Sequence, residues 1–286
     1  MDYIISFLEK NIKNSDKDKS SYWKKGFENN PEYKNVFNPD IGIGKYQKKN
    51  LFSFFHNFFL KIIFGKSIFK TSSYKMYKTV FDSSCRRIDI NTMRHIFTFE
   101  ILKKYVNPKR ICIIGDGGLN AVLGAYLNFP KSKIFSINLS ESLIHDYIVL
   151  KHLNSNLKES VKVIENINDF EDIKNLNLIP SNLKNYLFDK EIDLFINISS
   201  FQEMSMNEID RYFRIIKNNK SYLYTCNREI KILPDGEKIS FSCYPWENCN
   251  YVFNKNCDFH QKYYSLRFPF IKKYDGNHKH ALVKFN

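Results

Sequence analysis

The chain has 286 residues, of which 43% are apolar, so a sizeable core is possible in one large domain or one domain with an appendage. A formal net charge of +14, from 44 basic and 30 acidic side chains, invites a nucleic-acid reading. Only 8 of the basic residues are Arg, and 32 residues are Asn; this is a Lys- and Asn-rich composition rather than a set of Arg forks for bases and phosphates, and nucleic acid is the disfavoured partner.

In chain order, MDYIISFLEKNIKN reads as a short amphipathic helix, with no signal peptide. Residues 10–50 are polar, with Pro31, Pro39 and an IGIG turn, and read as short helices and surface loops. The segment 51–69, LFSFFHNFFLKIIFGKSIF, is interrupted by His56 and Lys61 and is too short in its apolar runs to span a membrane. Ser53, Asn57 and Lys61 draw a polar stripe down it. It is expected to pack on the main domain; the other reading is an interfacial helix that brings the protein to lipid-linked substrates. Residues 74–105 read as helical, stopped by Asn107-Pro108, and carry the basic group Arg86, Arg87, Arg94 and His95, either a solvated face or a holder of a phosphate or acidic sugar. The boundaries expected are a helical and irregular region over 1–84 and a main domain over 85–286.

From residue 111 the period changes. Strands are expected at 111–115, 133–139, 161–167, 191–199 and 221–227, with helices at 120–129, 140–154 (Ser140 as N-cap) and 205–218 (Ser205 and Glu208 in capping-box spacing). This alternation predicts an α/β fold: a mostly parallel, Rossmann-like sheet covered on both faces. After 227 come strand candidates without helical periodicity between them, ending in HALVKF, which suggests an antiparallel edge hairpin.

The first strand runs into Gly115-Asp116-Gly117-Gly118 and then a helix, the arrangement that sets backbone amides and a helix N-terminus beside a nucleotide-like ligand. The dinucleotide pattern G-x-G-x-x-G is incomplete, because Asn120 stands where the third glycine belongs. A tight structural turn is the plainer alternative. At the end of the second strand, where an acid usually grips the ribose, stands Asn138. The fourth strand empties into Ser199, Ser200, Gln202 and Glu203, a polar cluster at the carboxyl end of a buried strand, where open sheets bind ligands.

Of six cysteines, Cys85, Cys112 and Cys226 stand alone, as free thiols of a reducing compartment do. Cys243, Cys249, Cys257 and His260 are spaced C-x5-C-x7-C-x2-H, without the close pair of a zinc knuckle, so no metal is expected.

The order of elements resembles the class I S-adenosylmethionine-dependent methyltransferases. INISSFQEMSMNEIDRYF (196–213) and SINLSESL (136–143) look like the sugar O-methyltransferase family within them; the resemblance covers roughly residues 85–286. Ile113 and Leu119 depart from the usual glycine-motif residues, and Asp116 is the candidate to supply the missing carboxylate.

The resemblance implies S-adenosyl-L-methionine as cofactor and a sugar or glycan hydroxyl as acceptor, lipid- or nucleotide-linked, for surface polysaccharide biosynthesis; the expected location, cytoplasmic or membrane-peripheral, rests instead on the lack of a targeting signal and on the 51–69 segment. Two alternatives remain, an RNA-binding or RNA-modifying protein and a non-catalytic partner with the same fold. Gly115, Asp116, Gly117, Gly118, Asn138, Ser199 and Ser200 are the expected cofactor contacts, with Asp169 and Phe170 for the adenine. Glu203 is the expected general base, with His145 and His278 as further proton carriers. Gln202, Arg94, Tyr244 and Trp246 are the expected acceptor contacts, although a Tyr-Pro-Trp loop is equally a stiff packed corner.

Overall fold

Four successive apolar residues, Ile111 to Ile114, suit a strand buried on both faces, which the middle of a parallel sheet provides. In the computed structural model, which describes residues 2–29, 37–38, 43–46, 51–265 and 267–286, they form the central strand of an eight-stranded sheet. Its strands are β1 (Arg110–Ile114), β2 (Lys133–Asn138), β3 (Val161–Val163), β4 (Leu176–Pro180), β5 (Leu194–Ile198), β6 (Tyr222–Arg228), β7 (Cys249–Asn256) and β8 (His278–Phe285). Their spatial order is β7-β8-β6-β5-β1-β2-β4-β3. Every pairing from β6 to β3 is parallel, whereas β8 runs antiparallel to β6, and β7 to β8. The Rossmann-like sheet with an antiparallel C-terminal edge is therefore the one formed.

Side chains alternate across this sheet. Ile111, Ile113 and Ile134 face one apolar cluster, and Cys112, Ile114 and Phe135 face the other. The first cluster is covered by α1 (Tyr3–Ser15), α3 (Leu51–Phe64), α4 (Ser72–Ser83), α5 (Ile90–Leu102), α6 (Asn120–Asn128) and α7 (Ser140–His152). Beneath the second lies α8 (Met206–Asn218), whose Ile209, Tyr212, Phe213 and Ile216 form its inner face. Among the described residues two short helices remain, α2 (Ser21–Asn29) and α9 (Asp258–Gln261). Leu8, Leu60, Tyr77 and Phe81 from the first 84 residues lie in the same cluster as Ile111 and Val122, so the N-terminal helices share the sheet's core. Gly124 lets α6 approach α4 and α5: a Cβ there would stand 2.0 Å from Phe99 and 2.5 Å from the Tyr77 hydroxyl.

Several local expectations are corrected. The region 74–105 is two helices, broken where Cys85 takes φ 53° and Arg86–Arg87 form a short ribbon strand. Ser140 is the first helical residue, and Leu139 holds the cap position without a side-chain bond. Ser205 does cap α8, accepting from the Glu208 amide at 3.4 Å, but the Glu208 carboxylate is turned to Lys184 at 2.8 Å. A strand at Leu176–Pro180 occupies what reads in sequence as a polar connection. Its buried Asn177 is satisfied by donating to the carbonyls of Ile134 (3.1 Å) and Lys174 (2.9 Å).

On α3 the stripe is partly confirmed: Asn57 and Lys61 are exposed, and the side chain of Ser53 lies outside the described residues. His56 instead points inward, bonded to the Ile88 carbonyl at 2.7 Å and the Tyr264 hydroxyl at 2.6 Å. Pro31 and Pro39 lie outside the described residues. No described helix is long and apolar enough to cross a membrane.

Candidate active site

The strand order reverses between β1 and β5, and the crevice beyond their carboxyl ends is where an open sheet holds its ligand. There the structure has a cavity of about 240 Å³. Its walls include Gly115, Asp116, Gly117 and Asn120 from the glycine turn, Ser199, Ser200 and Glu203 from the β5 loop, Asn91, Arg94 and His95 from α5, and His260 from α9. Trp23 of α2 closes one side.

The turn is built for close approach. Gly115 has φ 72°, and a Cβ there would sit 1.9 Å from the Ser200 hydroxyl. Both the left-handed backbone and the contact exclude a side chain. Gly115→Ala is therefore expected to push Ser200 and the β5 loop out of place and to weaken ligand binding in the crevice at least about tenfold, a loss of about 1.4 kcal/mol readable by calorimetry.

Asp116 decides what kind of ligand fits. Its carboxylate is turned onto the start of α6 and accepts from the Val122 amide at 2.8 Å, with further bonds from Ala121 and Asn120. The helix N-terminus, where dinucleotide folds seat a pyrophosphate, is thus already held by an acid of the chain itself. Burial raises the Asp116 carboxyl to about 6 against these amide bonds. Neighbouring Asp146, bonded to the Gly118 amide at 2.9 Å, is pushed higher by burial and by the Asp116 charge. Both carboxyls are thus held above the ordinary aspartate range, and with Asp116 on the helix N-terminus the turn has no free seat there for a phosphate.

Glu203 stands across the cavity on a short turn, Phe201–Glu203. Burial drives its carboxyl up to about 7, offset by the charges of Lys231 and Arg228 and by hydrogen bonds with Tyr22 and Gln202. A carboxyl poised there can take and return a proton at neutral pH. At the other end, Arg94 is buried and donates to Asn91 Oδ1 (2.7 Å), to the Lys262 carbonyl (2.8 Å) and to the Phe259 carbonyl (3.3 Å). None of these partners is charged. Burial first, and the Arg94 charge second, lower His95 to about 3, leaving it a neutral wall.

The other residues expected from sequence take different places. Asn138 donates to the Asp116 carbonyl (3.1 Å) and accepts from the Leu139 amide (2.9 Å), bracing the glycine turn from β2. It lines a smaller adjoining hollow with Trp23 and Ser200. Gly118 bonds to Asp146 and lies behind the turn. Gln202 accepts from the Arg228 amide at 2.7 Å, and its own amide N–H donates to Asn227, which continues to Asn197 at 2.9 Å. This buried chain ties the ends of β1, β5 and β6 together.

Asp169 caps its own turn, bonded to the amides of Glu165 (2.9 Å) and Asn166 (3.0 Å) and paired with Lys162 at 2.8 Å. Phe170 stacks on Phe135 with centroids 5.6 Å apart. Tyr244 and Trp246 pack with Phe201, Phe213 and Phe241 in the cluster under α8, the packed-corner reading of that loop. His145, on α7, and His278, at the start of β8, are not among the cavity residues; burial, then Arg228 and Arg94, lower His278 to about 4. Sequence reasoning missed Trp23, Asn91 and Asn120 at the cavity.

No protein-family model matches the chain, and neither does any curated protein sequence. Solved structures of similar fold include several named as methyltransferases. A candidate O-methyltransferase from Nostoc punctiforme is 10% identical, with TM-score 0.42, over 66% of this chain and 55% of that one, so the chain spans about half of that protein's length. The N-methyltransferase NodS from Bradyrhizobium japonicum, in complex with S-adenosyl-L-homocysteine, is 8% identical with TM-score 0.44 over 68% of this chain and 87% of NodS. The plantazolicin methyltransferase BpumL, also in complex with that product, is 12% identical with TM-score 0.43 over 98% of this chain and 100% of BpumL.

Proposed function

We propose that the chain is an S-adenosylmethionine-dependent O-methyltransferase whose acceptor is a hydroxyl of a sugar or glycan that carries an acidic group. One observation carries this reading. A glycine turn with its anion seat already filled by Asp116 shares one crevice with a carboxyl, Glu203, poised near neutral pH.

When bound, the cofactor supplies a methyl group on a sulfonium. Gly115, Gly117, Ser199 and Ser200 would hold it, with Asp116 bracing the turn against α6. Glu203 accepts the proton of the acceptor hydroxyl as that oxygen becomes a nucleophile. Arg94, buried and without a carboxylate partner among the described residues, draws an acidic group of the acceptor to the opposite wall. Trp23 and the α2 segment keep water from the crevice. Exposed Phe55, Phe58 and Ile62 on α3, beside Phe268 and Phe270, favour an acceptor presented at a lipid surface on the cytoplasmic side.

The test is calorimetry with S-adenosylhomocysteine, then transfer of labelled methyl from S-adenosylmethionine to nucleotide-linked and lipid-linked sugars. Absence of product binding overturns the reading, and label in RNA but not in sugars replaces the acceptor. Arg94→Met is expected to raise KM for an acidic acceptor about 10–100-fold while leaving a neutral one unchanged.

A further inference from the structure

Three buried donors converge beside the crevice, one from β6 and two from the start of α9. Cys226 lies within β6, and His280 of β8 is its direct cross-strand partner. Cys257 is the residue ahead of α9, and its amide donates to the His278 carbonyl at 2.7 Å. His260 follows one turn later in α9. The Sγ atoms of Cys226 and Cys257 and a ring nitrogen of His260 all lie within 4.8 Å of one another, and all three residues are buried.

This is the spacing of a metal ligand set. On a tetrahedral zinc with Zn–S of about 2.3 Å and Zn–N of about 2.0 Å, neighbouring donors stand about 3.5–3.8 Å apart. A small inward adjustment of side chains closes the difference. A further donor stands next to this group of three, because the His280 side chain hydrogen-bonds the Cys257 sulfur. The rings of Phe253 and Phe259 lie 5.1 and 5.6 Å from that of His280, the ring of His278 lies 6.4 Å from that of His260, and the Tyr224 hydroxyl is 3.4 Å from His280 Nδ1. In this setting His260 Nε2 has no hydrogen-bond partner among the described residues. A buried polar atom left so is a cost that an ion would relieve.

We propose that Cys226, Cys257 and His260, with His280 as fourth ligand, bind one thiophilic divalent ion of the zinc class. Two thiolates with imidazole select such an ion over magnesium or calcium. A site closed by four protein ligands is structural. Here it pins the β7–α9–β8 edge to β6 and fixes His260 in the cavity wall. The cysteine set weighed from sequence, with Cys243 and Cys249, is not the set brought together: Cys243 is exposed and Cys249 lies near Trp246. The proposal stands whether or not the chain transfers methyl groups.

The test uses the full chain, prepared without oxygen from zinc-supplemented cells. Elemental analysis is expected to find one zinc per chain. After removal of zinc, cobalt(II) is expected to give a thiolate-to-metal charge-transfer band together with tetrahedral ligand-field bands. Cys226→Ser and His260→Gln should each weaken cobalt binding about 100-fold or more, with Cys243→Ser unchanged. Should Cys226→Ser fail to fold, His260→Gln at the cavity wall decides, and added zinc should raise Tm in the parent chain but not in that variant. A folded chain without stoichiometric metal or the charge-transfer band overturns the proposal. So does cobalt binding unaltered in His260→Gln, or a Cys226–Cys257 disulfide in the oxygen-free material.

Discussion

Glu203→Gln is expected to abolish at least about 99% of methyl transfer while S-adenosylhomocysteine still binds, and to raise the melting temperature above pH 7. The first effect follows from the loss of a general base, worth about 10²–10⁴ in rate. The second follows from linkage. Burial lifts this carboxyl from the ordinary glutamate value to about 7 in the folded chain. A raised carboxyl binds its proton more tightly when folded than when unfolded, so stability falls as pH climbs from the unfolded value through about 7 and is level beyond. Gln carries the amide at every pH and escapes that loss. Rate should follow the opposite course in the parent chain, rising as pH passes about 7 and the base form fills. A variant that is more stable and inactive marks a group retained for chemistry. Full activity in Glu203→Gln, or a melting temperature that falls with activity, assigns Glu203 to packing instead. The measurements are a pH–rate profile, a thermal melt at pH 6 and pH 8, and calorimetry with the product.

The strand-and-glycine core of this site was legible because its signals are local. A run buried on both faces, as at Ile111–Ile114, has no polar position to confuse the period, and Gly115 with Asp116 follows it directly. Glu203 was legible for the same reason, lying just past the buried β5. What failed was a rule of position applied without the hydrogen bonds. Asn138 and Asp169 stand near the expected strand ends, but both spend their polar atoms on nearby backbone amides and carbonyls.

The β4 strand was hidden because Asn175 precedes it and Asn177 interrupts its short apolar run, and the bonds that allow Asn177 to be buried come partly from β2. Trp23 and the cluster of Cys226, Cys257 and His260 were hidden by distance along the chain. Only the antiparallel return of β8 and the fold of α2 over the crevice bring them to it, and neither is written in local spacing.

Lys184→Met is expected to destabilise the chain by about 3–5 kcal/mol, the range found when one partner of a buried ion pair is removed. Lys184 is almost fully buried between two carboxylates, Asp18 at 3.2 Å and Glu208 at 2.8 Å, which are themselves nearly inaccessible. Arg211 reaches both from the surface, at 3.7 and 3.2 Å, too exposed to replace it. Without Lys184 two buried acids face each other, and the easiest relief is for Asp18 to leave, carrying the segment that leads into α2. That segment is otherwise held by the Ser181 hydroxyl bonded to Asp18 at 2.9 Å, by Ser20 bonded to the Glu203 carbonyl, and by Lys19 paired with Glu141. Since it also carries Trp23, loss of the buried pair should open the crevice as well as lower stability. Urea unfolding measures the first effect, and limited proteolysis within residues 16–29 measures the second. Product binding weakened in step with cleavage ties the N-terminal segment to the site; binding unchanged in a nicked chain would show that α2 covers the crevice without forming part of it.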